Sequence, residues 1–385
     1  LLKSGKSPLK KGARPARLIV EEELNQLSAG KTDITELDLT GKKLKEFPVT
    51  LTKLTSLRKL ILNDNAIESI PAGIKELVSL EELHLEKCGL KKLPSEIGLL
   101  SRLRVLNVAG NGELDLPESI NNLSSLQVLN VSYNIGFGLP ANCSGLKNLE
   151  ELGCYQCSAA APIEFPLAIT QLTGLKRLLM GSNSFLTIPE SLLELQNLEE
   201  LNLDGSLCYL NALPDLSKLK KLKILHADGL TNYSTRPTPK QSLLRSFFAI
   251  TSLEELYVDR HGERKEKFIK MEEFSEMEKN LAHDQQRLAE LNTRLTRVPN
   301  IVYGDGKKGT LREALKAEHL EGISNLANLK VLDLSFNGLT GLPGELSALK
   351  NLRSLNLQYN KLPAADRLTI SEMLPGCSID FKNNG

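Results

Sequence analysis

The sequence predicts an α/β solenoid, in which short strands and outer turns wind repeatedly into one stack. Three observations carry this reading. An apolar pattern recurs every 23 residues over most of the chain. Its first part alternates as a strand with one buried face must. The 385 residues include no Trp and only 4% aromatics, so the core has to be filled by regular layers of Leu and Ile rather than by a few large plugs.

One complete unit reads LRKLILNDNAIESIPAGIKELVS, from Leu57 to Ser79. Units with this grammar begin at Ile34, Leu57, Leu80, Leu103, Leu126, Leu149, Leu175, Leu198, Leu222, Leu253, Leu329 and Leu352, and seven of the eleven steps are 23 residues. The step after Leu222 is 31 and that after Leu253 is 76, so insertions sit there. Within a unit, Leu60 and Leu62 are expected to point inward, and Lys59, Ile61 and Asn63 outward. Asn65, Asn111, Asn134, Asn183, Asn337 and Asn360 follow the strand where the chain turns, in position to bond the backbone of neighbouring turns. Cys88 and Cys157 hold the same place, which a small buried thiol also fills. Pro48, Pro71, Pro94, Pro117, Pro140, Pro189 and Pro343 open the outer stretch, where a fixed φ and a missing N–H suit the start of a short helix. No unit buries its own apolar edge, so each must stack on the next.

The motif L-x-x-L-x-L-x-x-N-x-L-x-x-L-P resembles that of the leucine-rich repeat family, in the short form seen in plant intracellular Ras-group-type proteins and in bacterial proteins, secreted effectors among them. The resemblance covers roughly residues 34–385. It implies a horseshoe of about twelve repeats with a parallel concave sheet. Around it the sequence sets a basic tail or linker at 1–17, a helical N-terminal cap at 18–33, solenoid at 34–258, a helical insertion at 259–318, and solenoid with a C-terminal cap at 319–385. The insertion carries Phe274, Met277, Leu281, Leu288, Leu291, Leu295 and Val298 on a heptad stripe, which predicts one long helix over roughly 264–297.

Several functions are disfavoured. The formal net charge of +1 sets up no strong field, so wholesale nucleic-acid binding is not implied; the basic tail, with Lys3, Lys6, Lys10, Lys11, Arg14 and Arg17, is the one stretch suited to an anionic surface. No apolar run reaches the length of a membrane-spanning helix. The first residue is Leu, which reads as a fragment or processed form. Residues 304–310, GDGKKGT, have the glycine spacing of a phosphate-binding loop, but Thr310 stands where the lysine must be. Cys154 and Cys157 have half the spacing of a zinc site, yet they fall in the registers of an inward Leu and the turn Asn. No catalytic residues, cofactor site or metal site are assigned, because His84, His226, His261, His283 and His319 form no grouping with nucleophiles or ligands. Cysteine pairs bracketing the caps, usual in secreted members of the family, are missing, which favours a reducing, cytoplasmic setting, or delivery into a host cell if the chain is an effector.

The expected function is therefore a non-enzymatic protein-interaction scaffold that binds on its concave face. The alternative is the substrate-recognition portion of a larger enzyme, such as a ubiquitin-ligase effector or a GTPase-linked protein. The third, fifth and seventh positions of each unit project from the strands. Glu200, Asp204, Asp228, Glu255 and Asp259 make an acidic run there, with Asn202, His226 and Tyr257 among them and Tyr133 and Tyr155 nearby. These ten residues are the candidate partner-binding site, for a protein carrying basic groups.

Overall fold

The computed structural model describes residues 34–136, 139–158, 163–183, 185–206, 213–227, 240–258 (240–242 by backbone alone) and 315–384. The expected cap at 18–33, the basic tail and the helix at 264–297 lie outside these residues. Among the described residues, 13 three-residue strands form one sheet in sequence order: β1 Glu36–Asp38, β2 Lys59–Ile61, β3 Glu82–His84, β4 Val105–Asn107, β5 Val128–Asn130, β6 Glu151–Gly153, β7 Arg177–Leu179, β8 Glu200–Asn202, β9 Ile224–His226, β10 Glu255–Tyr257, β11 Val331–Asp333, β12 Ser354–Asn356 and β13 Ser378–Asp380. Every pairing is parallel, and equivalent positions face one another: Leu60 opposite Leu83, Leu83 opposite Leu106, Leu106 opposite Leu129. The 76-residue step leaves this register intact, for β10 and β11 pair Glu255 with Val331 and Tyr257 with Asp333. Twelve units were read as strand-forming; the thirteenth strand is the closing one, which pairs Ile379 with Leu355.

The core is the inward Leu column and its outer counterparts. Leu60, Leu83, Leu106, Leu129, Leu152 and Leu201 are completely buried. On the outside the chain makes 3-10 turns at Val49–Lys53, Ala72–Glu76, Ser95–Leu99, Glu118–Asn122, Leu167–Gln171, Glu190–Glu194 and Gly344–Ala348. Each is preceded by a proline in extended conformation, with φ between −65° and −75°. The proline stands just before the helical residues rather than as the first of them. Pro166 heads the turn of the Leu149 unit, and no helical turn follows the expected Pro140 of the unit before it. The crossing after Pro140 is non-helical, and within it Gly145 packs directly on the preceding unit: a Cβ there would meet the Asn121 carbonyl oxygen at 2.0 Å.

Two hydrogen-bond ladders tie the units together. In the expected one, the Asn111 amide donates to the Leu85 and Val108 carbonyls at 2.9 and 2.7 Å, and its oxygen accepts from Cys88 and Leu90 N–H at 2.9 and 3.1 Å. The Cys88 and Cys157 thiols take the donor role at their rungs, toward the Leu62 and Val131 carbonyls at 3.2 and 3.4 Å. Ser206 and Asn384 serve as further rungs. The second ladder lies one residue before the unit start. Asn148, Asn197, Asn328 and Asn351 each donate to a carbonyl of the previous unit, at 2.7 to 3.1 Å. Between strand and ladder the eighth residue of the unit takes positive φ: Asp64, Lys87, Tyr133, Gln156, Ser182, Phe336 and Tyr359 lie between 49° and 60°.

Two α-helices are described: α1, Lys240–Phe247, on the outer side before β10, and α2, Ala364–Met373, before β13. Leu315 is already in the core, so the chain rejoins the solenoid within the last residues assigned to the insertion. No helix among the described residues is long and apolar enough to cross a membrane.

Candidate functional site

The concave sheet displays its third, fifth and seventh positions, and the basic residues of the strand region are largely spent elsewhere. At the second positions, charges of neighbouring units pair: Arg58 with Glu81 at 2.8 Å, Lys176 with Glu150 at 2.9 Å, Lys223 with Glu199 at 2.8 Å and Lys330 with Glu254 at 2.6 Å. On β2 and β3 the third positions pair as well. Lys59 lies 2.7 Å from Glu82. Burial works to raise the Glu82 carboxyl, but the hydrogen bonds from Lys59 and His84 outweigh it and hold the group below its ordinary value.

From β8 to β11 the outward positions hold four carboxylates, Glu200, Asp204, Glu255 and Asp333, and no Lys or Arg among the described residues. Parallel register sets Asn202, His226, Tyr257 and Asp333 side by side. Adjacent strands run about 4.8 Å apart, and His226 and Tyr257 use that spacing to stack, with centroids 4.6 Å apart and planes 3° apart. Each ring holds a carboxylate, His226 that of Glu200 on the neighbouring strand and Tyr257 that of Glu255 two residues before it. His226 Nε2 is 3.4 Å from Glu200 Oε1, and the Tyr257 hydroxyl donates to Glu255 at 2.6 Å. His226 Nδ1 is 3.9 Å from Asp204.

The ten expected site residues divide unequally. Glu200, His226, Glu255 and Tyr257 come together with part of their surface exposed. Asn202 and Asp204 are brought to the same place but are covered, at 0% and 5% exposure, so they are corrected from contact residues to supporting ones. They hold each other, the Asn202 amide donating to Asp204 Oδ2 at 3.1 Å and Asp204 N–H to Asn202 Oδ1 at 2.9 Å. Asp228 and Asp259 lie outside the described residues. Tyr133 and Tyr155 form a separate pair on β5 and β6, centroids 5.6 Å apart, with Tyr133 54% exposed. Their floor is made of small residues, and Gly181 is required there: a Cβ on it would stand 2.6 Å from the Tyr155 ring and 2.7 Å from the Asn202 oxygen. Sequence reasoning passed over Asp333, a covered supporting residue like Asp204 whose carboxylate accepts from Ser335 and from Asn356 at 3.0 Å, and the Phe336–Tyr359 stack at 4.1 Å. Both sat in the outward and turn columns beyond the long insertion.

Cys154 and Cys157 are fully buried in the registers expected of them. Burial pushes the Cys157 thiol up to about 12 and that of Cys154 well above its ordinary value. No cluster of three or more His, Cys, Asp or Glu suited to a metal occurs among the described residues.

Residues 327–369 match a family model described as two copies of leucine-rich repeats. The chain contains leucine-rich repeats. No curated protein matches its sequence. Among solved structures, this leucine-rich repeat chain is similar to a leucine-rich repeat protein of Leptospira interrogans, with 25% identity, 93% of this chain and 98% of that one covered, and a TM-score of 0.51. An internalin of Listeria monocytogenes shares the fold at 17% identity, with 89% and 96% covered and a TM-score of 0.52. A TDR receptor does so at 18% identity and a TM-score of 0.54; there 96% of this chain covers 54% of the receptor chain.

Proposed function

We propose that this leucine-rich repeat protein is a non-enzymatic interaction scaffold whose concave face, over β8 to β11, receives a protein partner with basic groups. The observation that carries the reading is the partly exposed pair Glu200 and Glu255, held by the His226–Tyr257 stack and backed by the covered carboxylates of Asp204 and Asp333, with no outward Lys or Arg among the described residues of those strands. A field of one sign steers association, and an aromatic anchor slows dissociation. Solenoids offer their curved inner surface as an extended binding site. The burial of four of the five described cysteines as free thiols supports placing the protein in a reducing compartment.

The test compares two charge reversals. A pulled-down partner should be lost from the Glu200→Lys/Glu255→Lys protein and kept by the outer-face Glu118→Lys protein. If Glu118→Lys alone abolishes capture, the binding face lies on the other side of the solenoid.

A further inference from the structure

We propose that His319 is a proton-operated latch on the segment, residues 315–322, with which the chain rejoins the solenoid. Its ring is only 5% exposed, in the 3-10 turn Ala317–Leu320. Leu315, Leu320 and Ile323, which flank it in sequence, all belong to the core. The Lys316 backbone N–H donates to Nδ1 at 3.0 Å. Nδ1 must therefore be bare, and the ring hydrogen resides on Nε2. Nε2 is buried and has no hydrogen-bond partner; the nearest carboxylate oxygen, on Glu318, stands at 3.7 Å, beyond hydrogen-bond reach.

A second ring proton changes one contact outright. Nδ1 turns from acceptor to donor, and it faces another donor. The Lys316 hydrogen bond is lost, and a cation is left in a site that is closed to water. The one carboxylate within ion-pair distance of Nε2, Glu318 at 3.7 Å, is 60% exposed and offers the imidazolium only a solvent-screened partner. Glu318 is shared with Lys316 Nζ at 3.6 Å. From α1, Arg245 pairs with Glu321 at 2.7 Å and donates to the Glu318 carbonyl at 3.0 Å. All four of these side chains are more than half exposed, so water screens them.

The imidazolium is better served with the turn open, where Nδ1–H and the Lys316 N–H both reach water. The open form thus binds the proton that the closed form refuses. By linkage, acid favours opening and neutral or alkaline solution favours closure. Opening frees the contacts of Arg245, on α1, to Glu318 and Glu321 and the Leu315 N–H bond to the Asn337 carbonyl at 3.0 Å.

Hydrogen–deuterium exchange on the full chain tests this, with rates corrected for the intrinsic effect of pH. Amides of residues 315–322 should lose about tenfold in protection between pH 7.5 and 5.5, the factor expected for one hydrogen bond of ordinary net worth, while β3 to β6 stay unchanged. His319→Asn places an oxygen where Nδ1 stands, accepts from Lys316 at any pH, and should abolish the dependence. A pH dependence retained in H319N, or equal protection at both pH values in the parent, overturns the proposal. A second measurement needs no variant: NMR of the ring and of the Lys316 amide in the parent. The two should titrate together, and a ring that takes up its proton while the amide stays protected also overturns it.

Discussion

The side-chain oxygen of Asn111 accepts the backbone N–H of Cys88, one unit earlier, at 2.9 Å, and the Cys88 thiol in turn reaches the Leu62 carbonyl at 3.2 Å. One position of the repeat thus serves as a hinge pin between turns, with two chemistries. Asn fills both a donor and an acceptor role; Cys fills the donor role alone. Asn111→Leu leaves two N–H groups and the Leu85 carbonyl unanswered in the interior, while the Val108 carbonyl keeps Asn134. It should cost about 3 kcal/mol or more, measured by urea unfolding. Asn111→Cys should lose less, because the lattice already accepts a thiol at that place. Equal losses in the two variants would show that packing rather than bonding sets the preference.

Leu106 sits between the layers of Leu83 and Leu129 and is completely buried. Leu106→Asp places a charge there with no partner and should destabilise by several kcal/mol, about 3 or more. A thermal midpoint equal to that of the parent would contradict the strand register.

On the concave face the two kinds of carboxylate should respond differently. Glu200→Lys/Glu255→Lys should slow association with a basic partner, in surface plasmon resonance, without lowering the thermal midpoint. Asp204→Lys, at 5% exposure and bonded to Asn202, should instead lower stability. Tyr257→Ala should mainly speed dissociation, because it removes the ring stacked on His226.

The buried thiols give a pH dependence of known sign. Burial pushes Cys88 and Cys143 up to about 11 from an ordinary 9.0, and Cys157 to about 12. The folded state therefore keeps protons that the unfolded chain releases first. This contribution to stability is complete below pH 9.0 and is lost as pH rises toward 11 and 12. Denaturation midpoints should fall across that window, and less steeply in Cys157→Ser. Alkylation at pH 8 with mass mapping should label Cys377 before Cys88, Cys143, Cys154 or Cys157, since Cys377 alone of these five is partly exposed.

Much of the molecule is legible because each unit repeats the same physical problem. Alternation at Leu60 and Leu62 fixes which face is buried, and the turn Asn marks where the ladder runs. What escaped depends on neighbours that periodicity does not name. Pro140 and Pro166 both follow an apolar stretch in the expected way. Yet the second heads a helical turn and the first does not. Asp204 has the parity of an exposed residue, yet it and Asn202 are withdrawn from solvent beside Gly181 and the Tyr155 ring. Its burial is a matter of side-chain packing across three units. His319 offered no pattern at all. A lone imidazole shows its tautomer only when the Lys316 N–H is seen to point at Nδ1.

The ladder across the long step has a consequence for how the chain tolerates foreign sequence. Asn337 donates to the Val258 carbonyl at 2.6 Å, and its own carbonyl accepts the Leu315 N–H at 3.0 Å. Both ends of the intervening stretch are therefore fastened to one residue of the following turn, and the strands beyond pair as though nothing had been added. Such a junction is a splice point. A short linker from Val258 to Leu315, or an unrelated folded module with neighbouring termini, should be accepted there with the winding of the later turns undisturbed. The same two bonds would let that position acquire and discard sequence over evolutionary time at little cost to the rest of the stack.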